Sequence, residues 1–393
     1  MAVTSDVAGF TVGAAMAGVK DGTPRRLDVA LIVSDRPCAA AGVFTTNQVI
    51  AAPCVVTRRH LERGRLRGIV INSGNANACT GTQGERDAIA MAEAVAAKID
   101  CDPHEVAVAS TGVIGVPLPV ARIANAVKEI VLGPDRWSEV ANAIMTTDTK
   151  PKSISVGLPL SSGTVHLRGV AKGAGMIHPN MATLLAFVLT DADVDQGALR
   201  EIVPYAAETS FNAISVDGDT STNDTLLVLA NGASGIKMRG NDLAAFKGAV
   251  RTLCEALAKE IVADGEGVTR VFEVMVRGAA SDDDAKRAAR TITTSNLVKT
   301  AIHGADPNWG RILAAAGRSG AKVDATRATV RIGDIVVFDS GAPRAFDAER
   351  VRAIFSQLEI WIEVELGLGS GKAHAWGTDL SAEYVRINAD YTT

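Results

Sequence analysis

Apolar positions along the chain repeat with two different periods, and the switches between them lay out the architecture. Apolar runs at residues 27–33 and 68–72 predict strands. A helix of residues 84–99 follows a polar turn, and a strand at 105–109 runs into the segment STGVIG, which reads as a strand-to-helix turn. Pro119 then precedes a helical pattern, PLPVARIANAVKEIV, at a usual helix-start position. Short β segments are expected at 153–157, 164–170 and 183–190, separated by glycine-bearing turns at 161–163 and 173–175.

The clearest helix carries Leu243, Phe246, Val250, Leu253, Leu257 and Ile261 at steps of three or four, with Asp242 placed to cap it. That stripe is core. Residues 271–276 read as a strand, and 282–298 as one helix opening on acidic residues at its positive end. A further strand is expected at 329–337. Helices and strands stay interleaved to the end, without an internal repeat, a low-complexity tract or a long linker. The pattern predicts a layered α/β protein with sheets between helices.

At 393 residues the chain exceeds the size at which one core usually stops growing, which leaves two subdomains or one large layered domain. Hydrophobic residues make up 47% but aromatics only 4%, so the core is built from small aliphatics. The formal charge of -4 comes with no extended basic block, which argues against nucleic acid and for a small-molecule ligand. Cys38, Cys54, Cys79, Cys101 and Cys254 show no CxxC pair, as expected of reduced thiols in a cytosolic protein. The opening MAVTSDVAGFTVGAAMAG has no positive n-region and does not read as a secretory signal. No apolar run approaches the roughly 20 residues a membrane helix needs. Six scattered histidines form no paired-ligand pattern, so no metal is expected.

The candidate chemistry sits in KGAGMIHPNMATLL, from Lys172 onward. Here a glycine-rich segment and Ala182 stand directly before Thr183 and an apolar run. Cleavage between Ala182 and Thr183 would put a hydroxyl beside its own free α-amino group, which can act as its general base. By spacing alone, the plainer reading prevails: Thr183 is a β-branched residue opening a strand. Other blocks stand out: AAGVFTTNQVIAAP, NSGNANACTG, STGVIG, IMTTDTKPK, STNDT, DGEGVT, DPNWGR and the tail 388–393.

These blocks, in this order and over nearly the whole chain, resemble the ornithine acetyltransferase family, the bifunctional glutamate N-acetyltransferases of arginine biosynthesis. The resemblance implies an α-β-β-α sandwich with two stacked sheets. It also implies self-cleavage into an alpha chain, 1–182, and a beta chain, 183–393, headed by the nucleophile Thr183. It places Thr111 and Gly112 in an oxyanion hole, and Thr146, Lys172, Thr183, Glu266, Asn388 and Thr393 at substrate-contacting positions. An acetylated amino acid presents a carboxylate and ornithine a second amine, so Lys172 suits the negative group and Glu266 the positive one.

The implied reaction is ping-pong. Thr183 takes the acetyl group from N2-acetylornithine, releases ornithine and passes the acetyl to glutamate, giving N-acetylglutamate. That cycle needs no dissociable cofactor, and the resemblance leaves acetyl-CoA open as a co-substrate. It further implies that the two fragments stay together in a heterotetramer or larger assembly. Asn223, Asp224, Asp306, Asn308 and Arg311 read as site support or helix caps, NSGNANACTG as scaffold near the site, and His178 as a bystander. Two rival readings remain: a threonine-nucleophile amidopeptidase that sends the acyl group to water, and an uncleaved metabolite-binding protein.

Overall fold

The computed structural model describes residues 7–178 and 184–390 of the chain. In its first half the elements are β1 (Phe10–Ala15), β2 (Val29–Phe44), α1 (Ala52–Arg63), β3 (Leu66–Asn75), α2 (Gly81–Ile99), β4 (Val106–Val113), α3 (Val120–Glu129), α4 (Trp137–Ala143), β5 (Lys152–Leu160) and β6 (Gly163–Lys172). The second half opens with β7 (Leu185–Thr190), α5 (Gln196–Glu208), β8 (Ile214–Ser215), β9 (Thr225–Ala230), α6 (Gly240–Ala263) and β10 (Val271–Ala279). Next come α7 (Asp282–Thr293), α8 (Asn296–His303), α9 (Trp309–Gly317), β11 (Thr329–Ile332), β12 (Ile335–Asp339) and β13 (Ala342–Pro343). The described chain ends with α10 (Ala348–Phe355), β14 (Glu359–Glu365), β15 (Gly371–Thr378) and α11 (Ala382–Asp390).

Strand β2 organises the molecule. Its first half pairs with β1 and β3, and β3 pairs in parallel with β4. Its second half pairs with β9, which continues through β7 and β6 to β5. The register of β2 against β3 shifts between Val33 and Cys38, around Pro37, which has no N–H for the ladder, so one strand serves two layers.

Period-two alternation then sorts the side chains. Ala30, Ile32, Ile69, Ile71, Ala107 and Ala109 from one layer meet Phe187, Leu189, Leu227 and Leu229 from the other in a common apolar interior. Their neighbours point outward to helices: Leu31, Val70 and Val108 pack with α2 and α3, and Val188, Leu226 and Val228 with α5 and α6. Two stacked sheets between helices, the expected α-β-β-α sandwich, are the result.

A further sheet, β13-β12-β11-β14-β10-β15-β8, gathers the strands expected at 271–276 and 329–337 into a layer that the pattern did not anticipate. It packs one face on α7, α8, α9 and α10 and meets the sandwich where Trp376 joins the cluster around α6.

Several expected elements differ. The single helix of 282–298 is two, because Thr294 turns its hydroxyl back onto the Arg290 carbonyl at 3.0 Å and Ser295 takes the N-cap position of α8. The strand expected at 329–337 is the hairpin β11–β12, folded at Gly333–Asp334 with Gly333 at φ 56°. Helix α6 begins at Gly240, so Asp242 lies in its first turn and favours its positive end without capping it. STGVIG is not a strand-to-helix turn: 110–113 remain in β4, and α3 starts only at Val120 after Pro119.

Candidate active site

Strand β4 ends in Thr111 and Gly112 alongside Gly74 of β3. Gly112 has φ 134°, and a Cβ there would lie 2.3 Å from the Gly74 carbonyl carbon, so only glycine permits this approach. The Asn-rich run from the end of β3 to Asn77 frames the strand end from within. Asn72 accepts from Ser110 Oγ at 2.6 Å and donates to the Asn75 carbonyl at 2.8 Å, and Asn77 donates to Gly84 at 2.8 Å. Asn223 closes the frame, donating to the carbonyls of Ala76 at 2.6 Å and Ser110 at 2.9 Å.

One cavity of about 110 Å³ opens beside this frame. Thr111, Gly112, Thr146, Lys172, Glu266 and Asn388 all line it, drawn from β4, the α4–β5 loop, β6, the α6–β10 loop and α11. Leu184, Ser221, Thr222 and Asp224 complete much of the remaining wall. Ala182, Thr183 and Thr393 lie outside the described residues.

The ammonium of Lys172 is buried and donates to Thr111 Oγ1 at 3.0 Å. With its oxygen accepting from Lys172, the Thr111 hydroxyl has its own hydrogen to donate elsewhere. Burial and the charge of Lys152 push the Lys172 pKa down, and Asp148, Asp224 and Glu266 oppose that fall. Glu266 accepts from Asn388 Nδ2 at 2.9 Å, and its backbone N–H donates to the Ala174 carbonyl at 3.0 Å. Its carboxylate passes so close to Gly175 that a Cβ there would sit 2.4 Å from it, which explains one glycine of the Gly173–Gly175 turn.

His178 points elsewhere: its Nδ1 meets Ser215 Oγ at 3.2 Å and its Nε2 meets Arg290 at 2.8 Å. Burial and the Arg290 charge lower its pKa to about 4, keeping it neutral. Asp306, Asn308 and Arg311 are absent from the cavity lining; Arg311 donates to the Leu297 carbonyl at 2.9 Å between α8 and α9. Cys38, Cys54 and Cys254 are buried with thiols pushed up to about 12, as inert core groups are.

Sequence reasoning gave no role to Asp148, Lys152 or Asp264, although all three lie in the quoted blocks IMTTDTKPK and DGEGVT. They form a buried ion cluster next to the cavity, with Lys152 Nζ 2.7 Å from Asp148 and 2.6 Å from Asp264. The signal was an Asp and a Lys four apart in a segment headed into an otherwise apolar core.

A stacked-sheet sandwich with a lysine, a carboxylate and a hydroxyl converging on one cavity at the end of a parallel strand pair defines an α/β protein with a small polar pocket. The chain belongs to the ArgJ family, whose model matches residues 11–393. It is 49% identical over 391 residues to the arginine biosynthesis bifunctional protein ArgJ of Symbiobacterium thermophilum, covering 98% of this chain and 97% of that one. The protein of the same name from Dehalococcoides mccartyi is 49% identical over 388 residues, covering 98% and 96%. The crystal structure of the ArgJ protein of Bacillus halodurans matches with a TM-score of 0.51 and 44% identity, covering 52% of this chain and 98% of the solved one.

Proposed function

We propose that this chain is a self-processing glutamate N-acetyltransferase of arginine biosynthesis. Thr183 Oγ attacks the carbonyl carbon of Ala182, the Ala182–Thr183 peptide bond breaks to leave an ester and a free amine, and water releases the ester. The freed α-amino group, with an ordinary pKa of roughly 7.7 to 8.0, then serves as base for the same hydroxyl. Thr183 takes the acetyl of N2-acetylornithine and its amine passes the proton to the departing ornithine nitrogen. The α-amine of glutamate attacks the acetyl-Thr183 ester, giving N-acetylglutamate and restoring the hydroxyl.

Thr111 and Gly112 donate to the developing oxyanion, Lys172 holds the substrate carboxylate, and Glu266, braced by Asn388, holds the side-chain amine of ornithine. Thr146 and the C-terminal Thr393 complete the binding set. Acetyl-CoA serves as a second acetyl donor, in keeping with the word bifunctional in the relatives' names. Both fragments stay associated through the shared interior core, assemble as a heterotetramer or larger, and work in the cytosol. Among the described residues no helix is long and apolar enough to cross a membrane.

The observation that carries this reading is convergence. Six positions spread from Thr111 to Asn388 line one small cavity, and so does Leu184, the residue after Thr183. The solved relative adds support, since 98% of it is covered by 52% of this chain and its chain is thus about half as long, as a cleaved fragment would be. Acceptor dependence tests the reading. With N2-acetylornithine alone the protein should take up one acetyl group and stall, and glutamate should discharge it as N-acetylglutamate. Steady hydrolysis without an acceptor would favour an amidopeptidase instead.

A further inference from the structure

Beside the cavity, Asp148, Lys152 and Asp264 are withdrawn almost completely from water, with side-chain exposures of 0%, 1% and 3%. None of them lines the cavity. Replacing such a cluster with apolar groups is often neutral or stabilising, so stability alone is a weak reason to keep it.

Its bonds point to the site. Lys152 Nζ donates to Asp148 Oδ1 at 2.7 Å, to Asp264 Oδ2 at 2.6 Å and to the Lys150 carbonyl at 3.4 Å. Asp148 also accepts from the backbone N–H of Gly173 at 2.7 Å and of Thr146 at 3.1 Å. Thr146 is a cavity residue and Gly173 follows Lys172, so a single carboxylate fixes both. Asp264 accepts from Thr149 N–H at 3.1 Å and from the Thr149 hydroxyl, and it stands two residues before Glu266. Lys152 therefore ties the segment carrying Thr146 to the loop carrying Glu266, one partner on each side of the Ala182–Thr183 bond.

We propose that Asp148 and Lys152 are positioning residues for the transfer reaction, Asp148 holding Lys172 against Thr111 as a charged donor and Lys152 joining that half of the site to the Glu266 half through Asp264. This rests on the assignment of Lys172 and Glu266 to substrate binding.

The charged groups around Lys172 come from every neighbouring segment: Asp148 from the α4–β5 loop, Lys152 from β5, Asp224 from the segment before β9 and Glu266 from the α6–β10 loop. Asp148 favours the ammonium and Lys152 opposes it, so removing each should act with opposite sign.

The experiment is the pH profile of kcat/KM for N2-acetylornithine in the full-length protein. Asp148→Asn should move the alkaline limb to lower pH by about 1 unit or more, the usual reach of an adjacent charge. The charge-balanced double variant Lys152→Met/Asp264→Asn should move it to higher pH. Limbs that stay put, or that move the same way, overturn the positioning role, since loosened packing has no reason to shift them in opposite directions. If Asp148→Asn does not fold by circular dichroism, the double variant decides alone: an upward shift supports the proposal and none overturns it. In Lys172→Met the limb should vanish. A limb that persists there overturns the assignment of Lys172 itself, whereas one lost there but unmoved in the other two overturns only the positioning role.

Discussion

Lys172 Nζ donates to Thr111 Oγ1 across 3.0 Å, joining the end of β6 to the end of β4 at the wall of the cavity. A cation held against a hydroxyl makes that hydroxyl a stronger donor toward a developing negative charge.

Thr111→Val should therefore lower kcat far more than it raises KM. Loss of one oxyanion donor costs about 2.7 to 4 kcal/mol in the chemical step, a fall of roughly 100- to 1,000-fold. Steady-state kinetics with N2-acetylornithine and glutamate would show it; a change confined to KM would make Thr111 a binding residue only.

Glu266→Gln should raise KM for N2-acetylornithine about 10- to 100-fold with kcat changed only a few-fold, because it removes a charged contact made in ground and transition state alike. Lys172→Met should damage both constants, since Lys172 also touches Thr111. Asn388→Ala should give a milder rise in KM of about 2- to 10-fold, the worth of one ordinary hydrogen bond.

Gly112→Ala tests the frame. The added methyl would meet Gly74 at 2.3 Å in a backbone conformation that side chains rarely adopt, at φ 134°. Strain of that kind costs about 1 to 3 kcal/mol before the clash is counted. Thermal unfolding should show a clearly lower Tm, and Gly115→Ala, with open space around it, a smaller loss.

His178 gives the structure a pH-dependent weakness. Its pKa is about 4 when folded against an ordinary 6.5, so the unfolded chain binds the proton first and stability falls as pH drops through that window. Partial exposure limits the difference to about 2 kcal/mol. Denaturant titrations at pH 7 and pH 4.5 should show wild type losing more stability than His178→Asn between the two, and parallel losses would contradict the account.

The sandwich was legible because its strands are buried on both faces. Runs such as 27–33 and 68–72 are apolar but for Asp28 and Asn72, and the α6 stripe has an unbroken helical period. The seven-stranded sheet was legible only in part: β10 and the β11–β12 segment stand out as strands, whereas β14 reads EIWIEVE, with charges interleaved on its open face. The α7–α8 break was hidden because Thr294 ends α7 through a side-chain bond to the Arg290 carbonyl, which no hydrophobic period records. Thr111, Lys172 and Glu266 could be named from matching blocks, but each alone would pass for a turn or surface residue. Of the Asp148–Lys152–Asp264 cluster only the Asp148–Lys152 spacing left a trace in the sequence, since Asp264 lies 112 residues from Lys152 and only the fold brings them together.

The central claim is that Thr183 becomes the nucleophile by cutting the chain before itself. Intact mass under denaturing conditions, with N-terminal sequencing, on the purified protein beside Thr183→Ala tests it most directly. The account predicts two fragments, one ending at Ala182 and one beginning at Thr183, and an uncut chain in the variant. A single intact chain in both samples would contradict it and leave a metabolite-binding protein in which Thr183 does no chemistry.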